Sequence, residues 1–69
     1  MATVDGKEVN RGDWIGFKSD IEQSGRVTGF GRSTMGQLVI YLENPEGFSG
    51  EYIGGETETS MLASDCWLD

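Results

Sequence analysis

Eleven glycines and one proline are scattered through the 69 residues, and no apolar run between them is long enough for a helical period to develop. Short apolar stretches bounded by turn residues point to a small all-β domain. Residues 12–18, GDWIGFK, read as a first strand whose alternation sets Ile15 and Phe17 on one face and Trp14, Gly16 and Lys18 on the other. The polar loop SDIEQSG leads to a second strand over residues 26–32, where Gly29 and Gly31 suit a bent or bulged strand. In QLVIYLE (37–43), Leu38, Ile40 and Leu42 share one face and Val39 and Tyr41 the other. That apolar run leads to the expectation of cover on both faces. Asn44-Pro45-Glu46-Gly47 reads as a turn. Residues 48–56 leave two readings open: a strand at Glu51-Tyr52-Ile53 closed by a Gly54-Gly55 hairpin, or one long loop. Residues 57–62 read as a further strand, Ala63-Ser64-Asp65 as a single helical turn and Cys66-Trp67-Leu68 as a very short last strand.

A chain of this length forms one domain, 1–69, with 1–9 expected to be an N-terminal extension. It buries only about 60% of its unfolded surface, which leaves little volume for a deep catalytic cleft. The first residues, MATVDGK, contain no long apolar run, so neither a signal peptide nor a membrane span is expected. Cys66 stands alone within the triplet Cys66-Trp67-Leu68; it excludes an internal disulfide, fits a reducing cytoplasm and reads as a small buried hydrophobe.

Charge is divided unevenly. Residues 1–32 carry five acids and five bases, whereas residues 33–69 carry seven acids and neither Lys nor Arg, so the net charge of −7 belongs to the second half. A phosphate backbone is repelled by that half within about 8–10 Å in physiological salt. Histidine is absent, and one cysteine with scattered carboxylates gives no zinc-ligand spacing. The carboxylates of Glu43, Glu46, Glu51, Glu56 and Glu58 lack the periodicity of a calcium loop. An enzyme, a metal site and a cofactor are therefore not expected.

The segments GDWIGF, GRVTGF and MLASDCWL resemble the KOW and Tudor-type SH3-like barrels, in which a Gly-Asp-apolar first strand precedes a Gly-basic-Val second strand. The resemblance covers roughly residues 10–68 and implies a five-stranded SH3-like barrel with a short helical turn before the last strand. Small stand-alone barrels of this kind occur in bacteria and bacteriophages, which suggests an accessory or modulator protein. The resemblance also implies nucleic-acid binding near the first hairpin, where the matching positions are Lys18, Arg26 and Arg32, with Phe30 as a stacking ring. In Tudor-type members an aromatic cage holds methylated cations; the residues available for one are Trp14, Phe17, Tyr41 and Tyr52.

The charge favours a protein partner over nucleic acid. If Ile15, Phe17, Leu38 and Ile40 form the core, Trp14, Val39 and Tyr41 share the outer face, unless Trp14 packs under a terminus with Trp67. The expected protein-binding residues are Trp14 and Tyr41 as apolar anchors, Tyr52 as a rim contact, and Glu51, Glu56 and Glu58 as charge complementarity. Two alternatives stand beside this: the basic hairpin on RNA or DNA, and an acidic inhibitor occupying the basic site of a nucleic-acid-binding enzyme. A strand apolar on both faces also leads to the expectation of a homodimer or higher oligomer.

Overall fold

The computed structural model describes residues 3–4, 6–18, 21–50 and 54–68. The fold is all-β. Strands β1 (Thr3–Val4) and β2 (Lys7–Glu8) form a small hairpin. Strands β3 (Trp14–Lys18), β4 (Glu22–Arg32), β5 (Leu38–Glu43), β6 (Glu58–Leu62) and β7 (Cys66–Leu68) form a five-stranded sheet in the order β6-β5-β4-β3-β7, antiparallel throughout. A 3-10 turn at Ala63–Asp65 joins β6 to β7. Among the described residues β6 and β7 share no ladder, so the sheet is open at these two edges.

Alternation places Ile15 and Phe17 inward, each 0% exposed, and they meet Val27, Ile40, Leu42 and Cys66 in the core. Val4 and Val9, both within the expected N-terminal extension, complete it at 1% and 2% exposure. Strand β5 is buried on its inner side only. Ile40 and Leu42 are enclosed, whereas Tyr41 stays 46% exposed, which corrects the expectation of cover on both faces.

The Gly-Asp pair before β3 belongs to a turn. Gly12 adopts φ +94°, its N–H donates to the Val27 carbonyl at 2.8 Å, and the Asp13 carboxylate accepts from the Asn10 N–H at 2.9 Å. Strand β4 begins four residues earlier than the sequence pattern indicates, so most of the expected SDIEQSG loop is strand. The reason lies far away in the chain. Inward-facing Gln23 and Gly25 carry no apolar side chain; Phe48, from the segment after β5, fills the space instead. Its ring is 1% exposed, stands edge-on to Phe17 at 5.5 Å, and lies 3.0 Å from where a Cβ on Gly25 would sit. The Gln23 amide fastens this segment, donating from Nε2 to the Ser49 carbonyl at 2.8 Å and accepting at Oε1 from the Ser49 N–H at 2.9 Å.

The expected turn at residues 44–47 is present: the Asn44 side chain accepts from the Glu46 N–H and its carbonyl from the Gly47 N–H. Bonds from Asn44 N–H to the Thr57 carbonyl and from Phe48 N–H to the Glu56 carbonyl extend the β5–β6 hairpin beyond its strands. The expected strand at residues 51–53 lies outside the described residues.

Glycines within the strands serve as seats for rings. Trp67, on β7, lies over Gly16, where an added Cβ would fall 2.6 Å from the indole Cε2. The ring of Tyr41 lies over Gly31, where a Cβ would be 2.9 Å from the phenol oxygen, and reaches Gly29. Gly16→Ala is therefore expected to destabilise the fold by about 1–3 kcal/mol, the usual cost of overpacking. Urea unfolding of Gly16→Ala, Trp67→Leu and the double variant checks this: the double variant recovers part of the loss if the indole is the obstacle, and none if it is not.

Candidate functional site

The outer face of the sheet is built in rows that the ladder register defines. Trp14, Arg26, Glu43 and Glu58 are successive partners across β3, β4, β5 and β6, forming one row. Trp14 is 48% exposed and Tyr41 46%, on the same face but two strands and one side-chain row apart, about 12 Å at the usual spacings. Arg26 stands between them. Its Nε donates to Glu43 Oε1 at 2.8 Å and its Nη2 reaches the same oxygen, so the cation is committed to a neighbouring strand. Lys18 faces Glu22 directly across β3 and β4. Trp67, which sequence reasoning considered only as packing for Trp14, shares this outer face as Gly16's partner across the ladder.

A bulge decides where the basic residues go. Val27 pairs with Leu42 but Gly29 with Tyr41, leaving Thr28 as an extra residue on β4. One extra residue inverts the side-chain phase of everything beyond it. Arg26 consequently faces outward, whereas Phe30 and Arg32 fall on the inner side, opposite Ile40 and Leu38. Phe30 packs against the core. The set Lys18, Arg26, Phe30 and Arg32 does not form one surface.

Phe30 and Arg32 do meet in a groove of about 460 Å³ between the end of β4 and the segment after β2, together with Glu8, Val9, Asn10 and Leu38. The guanidinium of Arg32 donates to the Gly36 carbonyl at 3.3 Å. Phe17, one of the four aromatics available for a cation cage, is wholly enclosed in the core, so those four cannot line an open cage.

Of the acidic candidates, Glu58 lies on the outer face opposite Glu43 and Glu56 is exposed just before β6. Glu51 and Tyr52 lie outside the described residues. A shallow depression beside β6 is lined by Thr28, Tyr41, Leu42, Glu58, Thr59 and Ser60. Among the described residues no three His, Cys, Asp or Glu side chains converge as a metal site, and no helix is long and apolar enough to cross a membrane.

Cys66 is buried, 5% exposed, with its Sγ donating to the Leu62 carbonyl at 3.4 Å. Burial, reinforced by the neighbouring Asp65 carboxylate, pushes its thiol up to about 11. The thiol therefore stays protonated and weakly nucleophilic at neutral pH. Because the folded value exceeds the unfolded one, the associated stability is fully present below about pH 9 and is lost as pH rises through about 11. Chemical denaturation at pH 7, 9 and 11 should show wild type losing more stability over this range than Cys66→Ala; equal losses would mean the thiol is not held protonated by the fold.

No family pattern, no characterised protein and no solved structure matches the chain.

Proposed function

We propose that this chain is a non-enzymatic, SH3-like barrel module that binds a protein partner through the outer face of its sheet. The strand order β6-β5-β4-β3-β7 and the 3-10 turn before the last strand support the SH3-like reading, with β6 and β7 left as its two edges. The observation that carries the binding reading is the half-exposure of Trp14 and Tyr41 on one face while a separate set of side chains fills the core. Large aromatic side chains left half in water are recurrent interface anchors, since they remove much apolar area at small entropic cost. Glu58, at the far end of the row that begins with Trp14, supplies negative charge on this face and favours a basic partner surface. The nucleic-acid reading loses ground: Arg26 is tied to Glu43, and the bulge turns Phe30 and Arg32 away from Lys18 and Arg26.

Trp14→Ala should leave the circular dichroism spectrum intact while weakening capture of the partner from nuclease-treated cell lysate by about 30-fold or more, as truncation of a central anchor does. Unfolding of Trp14→Ala, or capture that depends only on intact nucleic acid, overturns the proposal.

A further inference from the structure

We infer that the free edge of β6 is a docking strand for an extended segment of the partner in which Lys or Arg alternates with apolar residues, added to the sheet as a further strand. This rests on the protein-binding reading above and specifies the partner's chemistry.

The two edges of the sheet are unlike. β7 has three residues, and short edge strands are one way proteins prevent unwanted pairing. β6 has five, Glu58-Thr59-Ser60-Met61-Leu62, in unbroken register with β5. It contains neither Lys nor Pro and no bulge, and its one charge is Glu58 at its first residue. Among the described residues its ladder partner is β5 alone, so a row of backbone donors and acceptors faces outward.

Charge selects the occupant. Glu56 precedes the strand, Glu58 begins it, and Asp65 follows in the 3-10 turn. No Lys or Arg occurs beyond Arg32. A second copy would bring the same acids against these, whereas a basic segment complements them. The pleat then sets the alternation. Outward side chains of an added strand fall beside Glu58 and Ser60, over the depression that Tyr41 borders. Inward ones fall beside Thr59 and Met61, the latter packed against the core. Cations suit the first set and aliphatic side chains the second. Main-chain bonds supply the affinity in such strand addition, and alternate side chains the specificity.

The experiment uses the full ¹⁵N-labelled chain and a synthetic peptide alternating lysine and valine. On binding, amide exchange at alternate positions within residues 58–62 should slow by about tenfold or more. N-methylation of every second peptide residue should abolish binding in one phase and preserve it in the other. Glu58→Lys should weaken the peptide by about tenfold through charge reversal.

The inference is overturned if the peptide does not bind, if both N-methylated phases bind alike, or if protection appears on β3 and not on β6. It is also overturned if the free chain sediments as a dimer with its β6 amides already protected, which would make a second copy the occupant. A lysate partner that is lost with Trp14→Ala, combined with unprotected β6 amides, removes this inference and leaves the protein-binding reading standing.

Discussion

Thr28 is one residue more than the β4–β5 ladder needs, and the distribution of chemistry over the molecule depends on that surplus. Before it, odd-numbered β4 residues point to the core: Val27 is 2% exposed. After it, the even-numbered Phe30 packs against the core, and Gly29 and Gly31 turn outward beneath Tyr41. Without the bulge, Arg26, Phe30 and Arg32 would line one face and present cations and a ring together. With it, the outer face keeps one β4 cation, already engaged by Glu43, and gains a glycine floor on which an aromatic ring rests.

That floor is one instance of a wider device. In a domain this small the core cannot enclose every aromatic side chain, since the ratio of surface to volume is unfavourable. Rings that remain outside the core are laid on strand glycines: Trp67 on Gly16, and Tyr41 on Gly31 and Gly29. Each ring covers backbone that a glycine leaves bare, while its other face remains available. Stability thus draws on side chains that stay partly in water. Trp14 differs: the position opposite it on β4 is Arg26, not glycine, and it stands 48% exposed.

Much of the architecture was legible where it depends on neighbouring residues. Alternation in β3 and β5, the turn at residues 44–47, the helical turn at Ala63–Asp65 and the three residues of β7 all follow from local pattern. The outward phase of Trp14 and Tyr41 was legible for the same reason. What escaped depends on distant partners. The start of β4 looks like loop because its apolar cover, Phe48, is supplied from beyond β5. Residues 1–9 read as an N-terminal extension because the burial of Val4 and Val9 shows only against the assembled core. Two glycines announce that β4 bends, but the register with β5 decides which residue is surplus, and with it which candidate residues share a surface.

The pairing of β3 with β7 joins Ile15 to Leu68, with nearly the whole described chain between them. Hairpins β3–β4, β4–β5 and β5–β6 close between sequence neighbours, on the microsecond scale of such elements. The β7 contact must instead close the longest loop of the five-stranded sheet, and the entropy of that closure is lost before three residues of ladder compensate for it. Until it forms, Ile15 and Phe17 have an open flank and Gly16 has no ring above it. The rate at which this protein reaches its native state is therefore expected to depend less on its longest strand than on the arrival of β7, the shortest strand of the five-stranded sheet.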